Sequence, residues 1–279
     1  MRSTSIIAAM GLFAASPALA QESAPLPPGP GRDADGFTIG LGAGFVPDYE
    51  GSDDYRIIPG GAIRGKVGNI SFSTRGLYLF VDVISGGSDV DFDLGPIAGL
   101  RLNRSSKIKD DVVDLLPELD MAFEVGGFAG VSFHGLTNPY DTLAVRLDAV
   151  KDIGDAHGST VITPNLEFST PLSRSLFMGA SLSADFVSND FADYYYSITP
   201  VDALASGLAP FDADGGMKSW KIGLLANYSL SGGDLLHGWS LFGTANYSHL
   251  LGDMKDSPIV DDRGSASQWF TAAGVAYSW

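Results

Sequence analysis

The sequence predicts an all-β fold, a transmembrane antiparallel up-and-down β-barrel, and three observations carry that prediction. Apolar residues alternate with small or polar ones at period 2 along most of the chain, as in strands with one lipid-facing and one inward face. The segment 268–279 sets Trp269, Thr271, Ala273, Val275, Tyr277 and Trp279 on one face and stops on an aromatic, the character of a closing strand anchored at the bilayer interface. The other end of the chain reads as an export signal: Met1-Arg2 is a basic start, 6–15 is apolar, and Ala18-Leu19-Ala20 supplies small residues for cleavage after Ala20. That apolar core is about ten residues, short of the roughly 20 that a spanning helix needs.

Composition narrows the class. A hydrophobic content of 45% is too modest for a helical membrane protein, whereas lumen-facing residues dilute a barrel to about this level. The net charge of −16 argues against nucleic-acid partners. With no cysteine, the chain forms neither disulfides nor a thiolate metal site. The domain reading is a signal peptide at 1–20, a Pro-rich periplasmic tether at 21–35 and a single outer-membrane barrel at 36–279.

The first strand, 37–46, sets Phe37, Ile39, Leu41, Ala43 and Phe45 against Thr38, Gly40, Gly42 and Gly44, and a second strand lies at 56–65. The stretch 69–84, which carries Asp82, is either one long strand or two short ones joined at Arg75-Gly76. In 90–102, Asp91, Asp93 and Arg101 oppose Phe92, Leu94 and Leu100; in 119–132, Asp120 and Glu124 oppose Phe123 and Val125. Segment 142–152 places Arg146 and Asp148 inward, 160–170 carries Glu167, 175–187 carries Asp185, and 217–230 sets Lys221 against Trp220 and Ile222. Strands at 238–250 and 268–279 complete the set. A single-chain bacterial barrel has an even strand number with both termini periplasmic, so twelve strands are expected, with ten as the alternative. Segments 103–118, 188–216 and 251–267 then lie outside the cell, and the short connections at 173–175 and 231–238 face the periplasm.

Three stretches carry a family resemblance: Pro47-Asp48-Tyr49-Glu50-Gly51 with 52–56 after the first strand, Tyr195 to Pro200 with 205–208 in the longest loop, and 251–260 before the last strand, with Gly252, Asp253, Ser257 and Pro258. In this order, across the whole mature chain, they resemble the MipA/OmpV family. Trp279 departs from the terminal Phe expected of the pattern. The resemblance implies an outer-membrane location among lipids and lipopolysaccharide. It also implies a scaffold role between a periplasmic murein transglycosylase and a murein synthase. It assigns no binding residue.

Several side chains are candidates for chemistry. Asp82, Asp91, Asp93, Asp120, Glu124, Asp148, Glu167 and Asp185 fall on the inferred lumen face against Arg101, Arg146 and Lys221, since charges are costly toward hydrocarbon. They read either as salt bridges filling a closed lumen or as the carboxylate rings of a cation-preferring pore. Asp48, Glu50, Asp53, Asp54, Asp253, Asp256, Asp261 and Asp262 form acidic loops, a solvated surface or oxygen ligands for a divalent cation. Ser248 and His249 are strand neighbours pointing to opposite faces, so they cannot pair as nucleophile and base. His134, His157 and His237 fall in turns without metal-ligand spacing. Tyr194 to Tyr196 suit a surface contact or a loop pinned across the barrel mouth. No cofactor, metal or catalytic residue is expected. The functional expectation is a non-enzymatic scaffold, with a narrow channel, an adhesin acting through 188–216 and a soluble periplasmic barrel as alternatives.

Overall fold

The structure, a computed structural model, describes residues 35–84, 89–232 and 234–279. The expected signal peptide and nearly all of the tether lie outside the described residues. Twelve antiparallel strands close into one barrel in which each strand pairs with its sequence neighbours and the first pairs with the last. They are β1 (Gly36–Pro47), β2 (Tyr55–Val67), β3 (Ile70–Arg75), β4 (Tyr78–Asp82), β5 (Val90–Arg101), β6 (Ala122–His134), β7 (Thr142–Asp152), β8 (Thr160–Pro171), β9 (Leu176–Val187), β10 (Gly216–Ser229), β11 (Gly238–Leu250) and β12 (Ser267–Ser278). The ambiguous stretch 69–84 is two short strands, and Gly76, at φ 58°, makes the tight turn between them.

Closure rests on the ends of the chain. β1 and β12 pair from Thr38↔Ser278 to Phe45↔Thr271. Trp279 and Phe37 exchange both backbone hydrogen bonds, at 3.0 and 3.1 Å, and their rings pack 5.1 Å apart. A barrel has no sheet edge left to satisfy in lipid, and the terminal aromatic seals the last rung.

The burial pattern is that of a membrane barrel. Large apolar side chains of the outward face are bare, Leu41 at 58% and Phe92 at 65% exposure among them, while their inward neighbours are covered. So extensive an apolar belt is foreign to a soluble surface, which removes the soluble periplasmic barrel from consideration. Aromatic clusters border the belt. Phe45 stacks on Tyr55 and Trp220, Tyr247 and Trp269 pack in series at one end; Trp239, Tyr277, Trp279 and Phe37 pack at the other. Trp269 and Tyr277 stand eight residues apart on β12. At ~3.3 Å per residue and a strand tilt of roughly 40°, this corresponds to about 20 Å of membrane height.

Connections are unequal. Both chain ends and the connections 68–69, 135–141, 172–175 and 230–237 share one end of the barrel, the periplasmic one by the usual asymmetry, whereas the Gly76 turn points the other way. The long connections 102–121, 188–215 and 251–266 share the other and fold into helices α1 (Asn189–Tyr196), α2 (Pro200–Ser206), α3 (Gly252–Asp256) and α4 (Pro258–Asp261), plus a 3₁₀ turn at Val113–Leu115.

Candidate functional site

The inside of the barrel has three tiers: an apolar cap at the outer mouth, an ionic collar beneath it and a cavity facing the periplasm.

The cap is built from local rules. In α1 the residues Phe191, Ala192, Tyr195 and Tyr196 recur at helical spacing and are fully buried. For α2, Thr199 Oγ1 accepts the Asp202 N–H at 3.2 Å, Pro200 fixes the first turn, and Gly207, at φ 80°, ends the helix in the left-handed conformation. These side chains join Tyr49, Val113, Leu116, Leu250, Met254, Ile259 and Val260 in one cluster. The cap is thus an ordinary apolar core, each large side chain of which contributes ~1.5–3 kcal/mol by burial.

Polar joints tie the loops together. Tyr49 Oη donates to the Ile259 carbonyl at 2.8 Å, Ser257 Oγ to the Tyr196 carbonyl at 2.6 Å and Arg104 Nη1 to the Tyr195 carbonyl at 3.1 Å. Gln268 accepts the Gly51 N–H at 3.1 Å and donates to the Ser52 carbonyl at 2.8 Å. Asp48 pairs with Arg56 and accepts the Lys109 N–H at 2.6 Å; Asp253 accepts the Asp214 N–H at 2.8 Å. Gly51 sits at φ 106°, where an added Cβ would meet Val260 at 2.5 Å. Burial pushes the Tyr49, Tyr195 and Tyr196 hydroxyls above the usual phenol range, so all three stay neutral. Burial raises Asp110 most, but the hydrogen bonds and charge of Arg263 and the N–H groups of Val113 and Val112 together outweigh it and hold Asp110 below the carboxylate norm. The motif residues Pro47, Asp48, Tyr49, Glu50, Gly51, Gly252, Asp253, Ser257 and Pro258 therefore stand at or beside the joints of the cap.

Beneath the cap lies the collar. Arg101 holds Glu124 through two hydrogen bonds, at 2.8 and 3.1 Å; Tyr78 donates to the same carboxylate, and His157 Nε2 meets it at 2.9 Å. Lys218 pairs with Glu50 and, at 3.1 Å, with Asp185, which Lys221 also reaches at 3.0 Å. The ring of Phe191 seats the cap on this tier, with the Arg101 guanidinium 5.1 Å and the Lys218 ammonium 5.5 Å from its centroid.

The third tier is a cavity of about 1250 Å³ in the inner half of the barrel, reaching down to the short turns at Tyr140, Arg174 and Asp234. Arg75 and Arg146 share Glu167 halfway along it, and Arg146 also binds Asp148 at 2.6 Å. Asp82, Asp91 and Asp93 line its wall closer to the mouth, where Asp93 accepts from Ser132 Oγ at 2.7 Å.

Ten of the eleven lumen candidates thus face inward, split between collar and cavity. Asp120 does not. β6 begins at Ala122, and Asp120 is an exposed residue of the preceding loop whose N–H bonds Tyr194 Oη at 2.9 Å. A period-2 pattern extended by three residues past a strand end assigns a face to a loop. The cationic side also gains members: Arg64, Lys66 and Arg75 line the cavity, and Lys218 is fully buried. Alternation puts Lys218 on the lipid face, but the β9–β10 register shifts between Met217 and Ser219, and this bulge turns both Lys218 and Ser219 inward. A lysine on a lipid-facing position is itself the sign of such a break.

The remaining candidates separate. His134 ends β6, with Nδ1 2.9 Å from Thr142 Oγ1, so it is a strand residue and not a turn residue. Ser248 is buried, whereas His249 faces outward and meets Ser267 Oγ at 3.2 Å. Asp48 and Glu50 are engaged with Arg56 and Lys218, and no metal-holding group of acidic or histidine side chains occurs among the described residues. Tyr195 and Tyr196 pin the longest loop across the mouth.

A closed twelve-strand barrel with a lipid-facing belt and a polar interior defines an integral outer-membrane protein. The chain belongs to the MipA family, the MltA-interacting proteins, whose family model matches residues 39–279. It is 28% identical over 158 residues to the outer membrane protein Omp26La of Vibrio anguillarum, covering 52% of this chain and 58% of that one. It is 34% identical over 92 residues to the outer membrane protein OmpV of Vibrio cholerae, covering 33% and 32%. The MltA-interacting protein of Escherichia coli K12 is 32% identical over 89 residues, covering 31% and 32%. The chain therefore aligns with a little over half of the first relative and about a third of the other two. Among solved structures, a NanC porin aligns with a TM-score of 0.47 at 10% identity over 86% of this chain and 98% of the porin. The translocator domain of the autotransporter NalP from Neisseria meningitidis aligns at 0.38 and 16%, over 87% of each chain.

Proposed function

We propose that this protein is a closed, non-enzymatic outer-membrane scaffold for periplasmic murein-remodelling enzymes. One observation supports this reading above the others: the outer mouth is filled by a packed apolar core on an ionic collar, whereas the inner mouth is open and ringed by turns. A pore needs a continuous polar path, and cap and collar interrupt it. An adhesin would use its long loops as free surface, and here the aromatic face of the longest is consumed in packing. What remains accessible to a partner is the periplasmic rim, with exposed Tyr140, Arg174 and His237. The name of the Escherichia coli relative, MltA-interacting protein, favours MltA as the partner; a murein transglycosylase and a murein synthase are the partners that the family resemblance implies.

The test is site-specific photocrosslinking in intact envelopes from Tyr140, Arg174 and the 21–35 tether. Capture of a murein hydrolase or synthase from these positions, and not from the outer-loop residue Leu204, is the expected result. Capture of barrel-assembly factors and lipopolysaccharide alone, together with single-channel conductance in planar bilayers, would replace the scaffold by a channel.

A further inference from the structure

The cavity is more specifically built than a scaffold requires. Halfway along it, three guanidinium groups converge. Arg75 and Arg146 share Glu167, and Arg64 lies beside Arg75 and the same carboxylate. Asp148 is bound to Arg146. Three guanidinium groups thus gather around Glu167 and Asp148 on a cavity wall that also carries Lys66 and Arg174, inside a chain of net charge −16. Arg75 keeps a donor in reserve: its Nε is buried and has no hydrogen-bond partner among the described residues. Aromatic faces hold the tier in shape, with the Arg75 guanidinium 5.1 Å from the Phe80 centroid and that of Arg146 5.2 Å from Phe80 and 5.6 Å from Phe128. Guanidinium groups so held suit carboxylates, which they bind in a planar, two-pronged manner.

Access and size restrict the ligand. Collar and cap close the outer route, so a ligand enters from the periplasm past Tyr140 and Arg174. A volume of about 1250 Å³ exceeds the ~300–1,000 Å³ of ordinary small-molecule pockets and suits a sugar-peptide more than a single metabolite. Asp82, Asp91 and Asp93 repel an anion at the wall near the mouth and favour a ligand that also carries hydroxyl, amide or ammonium donors.

We propose that the Arg64, Arg75 and Arg146 tier is a binding site for the carboxylates of a soluble murein fragment, an acidic sugar-peptide taken from the periplasm. The choice of murein fragment rests on the scaffold reading; the carboxylate site rests on the geometry alone. A scaffold that also holds its enzymes' product would sense local murein turnover.

The experiment is isothermal titration of the folded full-length barrel in detergent micelles with N-acetylmuramyl-L-alanyl-D-glutamate, and with the same compound amidated at both carboxyl groups. Binding of the acid, at least tenfold weaker for the amide and at least tenfold weaker in Arg75→Gln, is expected. A second variant leaves every charge in place. Gly179 lines the cavity, and its added Cβ would meet atoms no closer than 3.8 Å, so Gly179→Leu fills space without a clash at Cβ and abolishes binding. Heat-modifiable migration verifies that each variant is folded. Equal binding of acid and amide, undiminished binding in folded Gly179→Leu or no binding by the unaltered barrel would overturn the site. Equal binding of glutarate would overturn the murein fragment as its occupant. Photocrosslinking to murein enzymes should persist in Arg75→Gln, so failure of the site and failure of the scaffold are separable.

Discussion

The two ends of this barrel share twelve strands and solve opposite problems. At the outer end, four connections contribute Tyr49, Val113, Phe191, Tyr195, Ile259 and their neighbours to an apolar core of the kind that folds a soluble domain. At the inner end, the same wall carries Arg64, Arg75, Arg146 and Glu167 around open space. The wall is stable in either case because its hydrogen bonds are closed into a ring and its outer face is solvated by lipid. Interior packing is therefore released from its usual task of holding the fold and is free to make a seal at one end and a vestibule at the other.

That contrast can be broken most forcefully by removing the seal. Replacing residues 189–214 with a short Gly-Ser linker should leave a heat-modifiable barrel, because no strand is touched, and convert a silent bilayer trace into discrete conductance. A variant that stays silent would assign the seal to the collar and not to the cap.

Next in size is the seat between cap and collar. Phe191→Ala deletes a fully buried ring that packs on Tyr195, His157, Arg101 and Lys218 and should lower stability by ~3–5 kcal/mol. Urea unfolding in micelles, followed by tryptophan fluorescence, reads this out. Phe177→Ala, on the cavity wall, should cost clearly less, since the space it leaves adjoins space already open. Equal losses would deny that the two ends are packed differently.

Gly51→Ala forces a side chain into a left-handed backbone position and against Val260. A loss of about 1–3 kcal/mol follows, expressed as faster proteolysis of the outer loops with the strands still protected.

The smallest effect belongs to the periplasmic turns. Asp141 accepts hydrogen bonds from Thr137 and from the backbone of Leu136, Thr137 and Asn138, and the Thr137 side chain leads in lowering its pKa from 3.8 to about 2. A pKa depressed on folding stabilises the native state above about pH 4 and loses that contribution as pH falls toward 2. Asp141→Asn should flatten the acid limb of the stability curve in that window and leave the curve near neutrality little changed. An unaltered acid limb would show that the turn is not ordered by this carboxylate.

Much of this was legible in the chain. Alternation located the strands to within a few residues and set Asp91, Asp93, Glu124 and Asp185 inside, and the closing strand was visible in Trp269 to Trp279. Two departures from simple alternation have one physical cause. Alternation carried back past Ala122 gives Asp120 a face where no strand exists, and a single extra residue in β10 reverses the parity at Lys218. Period-2 reasoning has no memory of where a ladder starts or slips. The motif residues from Pro47 to Gly51 and from Gly252 to Pro258 stood out as a family signature, but their work as joints of one cap was not readable. Tyr49 and Ile259 are 210 positions apart.

By itself, the sequence determined the membrane barrel and the two faces of most of its wall, because a strand's exposure repeats every second residue and needs no knowledge of distant partners; it left twelve strands and ten as alternatives. Only the tertiary structure decided that a packed cap fills the outer mouth while a cavity occupies the inner half. That outcome depends on contacts between loops far apart in the chain, on one bulge, and on which charges meet across the lumen, none of which has a local period to read.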